Sequence, residues 1–196
     1  ILILIIMKYS KVNITKLESI SKGKILVAKP FWQNELFKRS VVLIFRHENQ
    51  KVRGIILNKV SSISLNDVVP DFGYNAPLFF GGLNAVDGIS CIHSSEDVPG
   101  SIELGNGLFF GGDYEYITEM SESGMLSLED FRFYVGQIEW NEENLLEEIN
   151  EGKWWTSKIS LPEFYSNSCD HLWSEKLIRE NHMYGLFEEW PDPSLS

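Results

Sequence analysis

Two pairs of residues in this sequence are spaced for metal binding, Cys91-Ile92-His93 and Cys169-Asp170-His171. Together they offer the four ligands of a Cys2His2 zinc site. On a strand, residues i and i+2 share a face, so Cys91 and His93 can reach one ion. On a helix, positions 169 and 171 point about 200° apart, so the second pair needs an irregular helix start. The spacing matches no standard zinc module, and the expectation is that neither a metal nor another cofactor is held.

Other chemistries lack a signature. The four histidines, His47, His93, His171 and His182, are not accompanied by a GxSxG elbow, an HExxH pair or a family-type catalytic cysteine context. No GxxxxGK[ST] loop occurs, and Gly105-Asn106-Gly107 lacks the third glycine of a dinucleotide fingerprint. Gly111-Gly112-Asp113 could offer free N–H groups to an anion at a helix start, but Asp113 would repel it. A tight turn with Asp113 as helix cap is the expectation. Trp140, Trp154 and Trp155 are interleaved with acidic residues, which favours core packing over stacking on nucleic-acid bases.

The elements that position these residues follow from composition and pattern. A chain of 196 residues, 43% hydrophobic and 23% charged, reads as one globular domain. Two cysteines are too few for a disulfide framework and fit a reducing compartment. The net charge of −11 is unevenly spread: residues 1–60 carry twelve Lys/Arg against three Asp/Glu, and the remainder five against twenty-five. Such a balance disfavours generic binding to nucleic acid or anionic membrane, although a local basic face could act within a Debye length of about 8 Å.

At the amino end, the seven apolar residues Ile1–Met7 fall short of the roughly 20 needed to span a bilayer, and Lys8 and Lys11 follow rather than precede them. They read as an upstream extension with Met7 the original start, the alternative being a short added strand. Residues 1–22 are thus taken as an extension to a domain over 23–196. No other stretch reaches membrane length, so a soluble, cytoplasmic protein is expected.

Residues 23–30, 40–45 and 52–57 are continuous apolar runs, which suit strands covered on both faces. The polar residues His47–Lys51 read as a hairpin loop. One helical turn is expected over Asn66–Val69 before Pro70. Turn-rich sequence then leaves room for short strands at Leu78–Phe80, Ile89–His93 and Leu108–Phe110. A helix follows from Asp113 through Met120, and Phe131–Val135 is a further strand. Asn141 is placed to cap a helix that runs to about Glu151, buries Leu145, Leu146 and Ile149 and stops at Gly152. A last helix spans Cys169–Arg179, burying Leu172, Trp173, Leu177 and Ile178, and Trp190–Ser194 reads as an extended tail. The sum is a single α+β domain.

The order of landmarks resembles the YqgE/AlgH family of bacterial proteins from about Gly23 to Leu195. The resemblance rests on Gly23-x-Ile25-Leu26-Val27-Ala28-x-Pro30, Phe37-x-Arg39-Ser40-Val41-Val42 with His47, and Gly54-Ile55-Ile56-Leu57-Asn58-Lys59. It continues through Gly81-Gly82, Ile92-His93, Leu108 to Asp113, and Trp190-Pro191-Asp192-Pro193-Ser194, the last similar to the Bacteroidetes branch. Leu83 stands where the family has proline. The segment Gly136–Ile149 keeps Gly136, Trp140, Leu145, Glu148 and Ile149 of the family pattern but loses its tyrosine, inner glycine and Gly-Gln pair. If that segment is a binding loop in relatives, this member binds differently or not at all.

The resemblance implies a bifurcated, partly barrel-like sheet surrounded by helices, with no established catalytic residues; some members carry the label of transcriptional regulator. The favoured reading is a cytoplasmic non-enzymatic domain acting through a protein partner or small ligand. Its candidate binding surface is Arg39, His47, Asn58, Gly81, Gly82, His93 and Trp140. Two alternatives stand beside it. One is a DNA-contacting regulator using a face of Lys24, Lys29, Lys38, Arg39, Lys51 and Arg53. The other is a hydrolase or transferase that depends on His47 or His93.

Overall fold

The apolar runs fold into β1 (Lys24–Ala28), β2 (Val41–Glu48) and β3 (Lys51–Ile56), paired antiparallel in that order. The structure, a computed structural model, describes residues 17–166 and 169–180. The expected extension at 1–7 and tail at 190–194 lie outside these residues. Along β2, Val41, Leu43 and Phe45 enter one apolar cluster while Val42 and Ile44 enter another on the opposite face. With both faces covered, the strand is continuously apolar rather than alternating. The hairpin between β2 and β3 is tighter than the sequence suggests: only Asn49 and Gln50 turn, with φ of 51° and 60°. Two positive values are what a two-residue turn needs to match strand twist. His47 and Glu48 therefore sit in the ladder, opposite Val52 and Lys51.

The long strand β9 (Phe131–Asn141) ties two branches of sheet together. Its first half lies between β5 (Pro77–Phe80), parallel to it, and β6 (Asn84–His93), antiparallel. Its second half, from Ile138, pairs with β3 instead. β8 (Leu108–Gly111) and β7 (Ser101–Gly105) extend the β6 side, β10 (Trp154–Lys158) flanks β1, and β4 (Val60–Ser64) pairs β5. The bifurcated sheet implied by the family resemblance is thus present.

At the fork the backbones nearly touch. Gly136 has φ of 74°, and a Cβ there would lie 2.0 Å from the Gly82 carbonyl oxygen. A Cβ on Gly81 would lie 2.3 Å from the Gly136 oxygen. Side chains are excluded from this crossing, and the contact is closed by Gly81 N–H donating to Val135 O at 2.8 Å. Beyond the fork the sheet curls until β7 returns to the start of β1, where a Cβ on Gly23 would lie 1.9 Å from Leu104 O. The outer strands β7 and β10 do not pair with each other. The result is a half-barrel open along a seam.

Helices cover the faces: α1 (Leu65–Val68), α2 (Tyr114–Glu122), α3 (Glu142–Asn150), α4 (Leu161–Tyr165) and α5 (Leu172–Glu180), with a 3-10 turn over Cys169–His171 before α5. Asp113 caps α2 as expected, its Oδ1 accepting from Tyr116 N–H at 3.0 Å. Asn141 occupies the cap position of α3 but makes no side-chain cap bond; Glu142 N–H instead donates to Gln50 O at 2.9 Å. Leu172, Trp173 and Leu177 bury α5 in the barrel interior, where Trp173 Nε1 donates to Ala28 O at 2.7 Å.

Gly136→Ala should cost about 3 kcal/mol or more in urea unfolding, from left-handed strain plus the clash with Gly82. Gly88→Ala, whose Cβ meets nothing within 4 Å, should stay within about 0.5 kcal/mol.

Candidate functional site

The residues singled out in the sequence fall in three settings: Arg39 and Asn58 share a turn near Gly81-Gly82, His47 and Trp140 share a cross-strand row, and His93 is buried on β6. Asn58, 8% exposed, is a backbone clamp: its Oδ1 accepts from Val41 N–H and its Nδ2 donates to Arg39 O, both at 2.8 Å. Arg39 holds a φ of 54° in the clamped turn and lays its guanidinium 5.5 Å from the Trp173 ring centroid. Gly81 and Gly82 form the backbone crossing described above. Trp140 is core, stacked on Phe37 at 5.7 Å and edge-on to Trp154 at 6.2 Å. His47 shares a cross-strand row with Trp140 through Val52, and its Nε2 lies 2.6 Å from Glu142 Oε2. That dyad is a base with an orienting carboxylate. No serine, threonine or cysteine hydrogen-bonds to it among the described residues.

His93 is fully buried, with Nε2 3.1 Å from both Ser101 Oγ and Gly111 O and its ring stacked on Phe131 at 4.9 Å. Burial lowers its pKa and favours the neutral ring. Cys91 shares that strand face and donates to Gly111 O at 3.3 Å, while burial pushes its thiol up to about 12. A protonated thiol is a poor nucleophile and a poor metal ligand. Among the described residues no three His, Cys, Asp or Glu side chains gather to hold a metal ion.

The basic residues of the first sixty positions are dispersed. Lys51 Nζ and Arg53 Nε each contact Glu139 at 2.8 Å, and Lys29 lies 5.0 Å above Trp155. Lys24 instead lines the seam.

That seam holds the concave surface with convergent polar groups. Two adjoining cavities of about 640 and 330 Å³ run along it and share Asn106 and Lys158. They flank the point where the β7–β8 turn is pinned to the end of β10, Asn106 Nδ2 donating to Ile159 O at 2.9 Å. In the larger cavity Glu163 closes the capping box of α4, its Oε2 accepting from Ser160 N–H and Oγ at 2.7 and 2.8 Å. Its Oε1 accepts from Lys176 Nζ at 2.8 Å and from Arg179. Burial alone would raise this carboxyl, but the hydrogen bonds from Lys176 and Ser160 outweigh it and hold the group down to about 2. Lys176, its side chain 5% exposed, also donates to Lys158 O at 2.7 Å.

The seam residues form no motif in the sequence. The available signal was scarcity: residues 61–196 contain five cations among twenty-five acids, and three of the five, Lys158, Lys176 and Arg179, meet here.

Comparison with known proteins agrees with this fold. The profile of the AlgH-like family matches residues 25–184. A UPF0301 protein of Bacteroides thetaiotaomicron is 32% identical over 173 residues, covering 87% of this chain and 88% of that protein. One of Bacteroides fragilis is 32% identical over 179 residues, covering 90% and 91%. The crystal structure of a Corynebacterium diphtheriae protein superposes with a TM-score of 0.72 at 22% identity, over 85% of this chain and 91% of that one. The solution structure of the AlgH protein from Pseudomonas aeruginosa gives 0.69 at 17% identity, over 87% and 94%. No described helix is long and apolar enough to cross a membrane.

A carboxyl whose folded pKa is depressed contributes stability that is full above its unfolded value, near 4.5, and is lost as pH falls through its folded value of about 2. Urea midpoints should therefore decline between pH 4.5 and 2 in part through Glu163. Glu163→Gln should lower the midpoint at pH 7 and flatten that part of the decline.

Proposed function

We propose, from the premise that this chain belongs to the AlgH-like family, that it works in the cytoplasm as a non-enzymatic binding protein. Its ligand or protein partner engages the seam of the half-barrel, and any regulatory output passes through that engagement rather than through a grip on DNA. The observation that carries this reading is the seam itself: a concave surface of about 640 Å³, lined by Lys158, Glu163, Lys176 and Arg179 among apolar groups, where two sheet edges approach without pairing. Pockets of a few hundred to a thousand Å³ at barrel mouths are the usual seats of small molecules.

Two further features support it. The candidate histidines are committed to structural partners, His93 within an aromatic stack and His47 against Glu142. The basic residues that would grip a duplex are split between Glu139, aromatic rings and the seam. Nucleic-acid affinity grows with the number of phosphates neutralised together, so dispersal favours a protein with little of it.

Thermal unfolding against nucleotides, sugars, phosphorylated metabolites, amino acids and a short DNA duplex tests the reading. A ligand at a hundred times its Kd stabilises by about 2.7 kcal/mol, which at this size moves Tm by roughly 5–11 °C. Such a shift from a small molecule, reduced in a Lys158→Glu variant, is the expected result. A shift from the duplex alone would favour the DNA-contacting alternative.

A further inference from the structure

We propose that the seam is a site for a phosphate-bearing small molecule, an inference that rests on the binding reading above and assigns its ligand class. Charge is the first argument. Five cations line the two adjoining cavities, Lys22, Lys24, Lys158, Lys176 and Arg179, against the carboxylates Glu18 and Glu163. In a chain of net charge −11, this is a local excess of positive charge.

The second argument is how little of that charge is answered among the described residues. Both oxygens of Glu163 are occupied, Oε2 by Ser160 and Oε1 by two cations at once. Among the described residues one carboxylate thus serves both Lys176 and Arg179, one positive charge more than it can balance. Lys176 is almost wholly buried, and among the described residues its three ammonium donors find two acceptors, Lys158 O and Glu163 Oε1. Lys22, Lys24 and Lys158 form no ion pair with any described residue.

Geometry supplies the third. The cations gather along one margin of the seam: Lys24 on β1 and Lys158 on β10 are cross-strand partners, Lys22 precedes β1, and Lys176 and Arg179 come from α5. A ligand held among them must present several acceptor oxygens and more than one negative charge. Phosphate does both, pairing with lysine as a point charge and with the arginine fork through two parallel hydrogen bonds. A cavity of about 640 Å³ matches a mononucleotide or sugar phosphate rather than a polymer. Asn106, pinned to Ile159, stands between the two cavities with its turn held in place.

The test uses the full chain at constant ionic strength, titrated with inorganic phosphate, pyrophosphate and ribose 5-phosphate, with citrate as a non-phosphate polyanion. Binding is read by calorimetry and by amide NMR shifts. The expected result is saturable binding of pyrophosphate or ribose 5-phosphate, with shifts at residues 22–24, 104–106 and 157–163. Affinity should fall at least tenfold in Lys158→Glu and in Lys24→Glu, each retaining its unliganded Tm, and should be unchanged in Lys51→Glu on the far hairpin. Preference for the ester over inorganic phosphate would assign a phosphorylated metabolite, and the reverse a free phosphate. Citrate binding as tightly as pyrophosphate would overturn the phosphate assignment, as would equal affinity in Lys158→Glu or no saturable binding. An uncharged molecule found at the seam in the thermal panel would keep the binding reading while removing this one.

Discussion

The crossing of Gly81-Gly82 over Gly136 is the constraint on which the rest of the molecule depends. β9 must serve as a central strand in two branches of sheet, and a strand can do so only if the neighbour it abandons turns away within one residue. Carbonyl oxygens of one segment sit where the Cβ atoms of the other would be, so the turn is possible only with glycine on both sides. The hydrogen bonds from Gly81 N–H to Val135 O and from Ile56 N–H to Gly81 O then join the branches. Three apolar clusters follow from this fork, one in the curl of the sheet and one behind each branch.

The same fork makes the barrel incomplete. With β9 shared, the path of strands runs from β10 at one end to β7 at the other, and these two approach without pairing. Backbone groups at such an edge need other partners. Asn106 takes the Ile159 carbonyl and Lys176 takes that of Lys158. One of these two side chains, Lys176, is a cation, so finishing the strand edge also places positive charge in the groove of an acidic protein.

The sequence revealed much of this where burial dominates. The runs at 24–28 and 41–45 are legible because both faces are covered, and Trp140 and Trp154 read as core for the same reason. β4, β7 and β10 are not legible: Val-Ser-Ser-Ile-Ser, Ser-Ile-Glu-Leu-Gly and Trp-Trp-Thr-Ser-Lys are short, polar or mixed, and owe their form to pairing with distant strands. The second half of β9 is hidden by Gly136, which reads as a stop and acts as a switch between partners. The segment over Gly136–Ile149 is accordingly strand and helix in this chain rather than a loop. The site was least legible of all. Arg39, Asn58, Gly81, Gly82, His93 and Trp140 fit a family pattern because they hold the fold, whereas the seam cations are far apart in sequence and meet only through the pairing of β1 with β10 and the docking of α5.

The central claim is that this protein acts by binding along the seam. The most direct measurement is amide hydrogen exchange across the whole chain, with and without a saturating ligand found by thermal shift. The account predicts protection gathered at residues 22–24, 104–106, 157–163 and 176–179. Protection gathered instead on the β2–β3 hairpin and the start of α3, around His47 and Glu142, would contradict it.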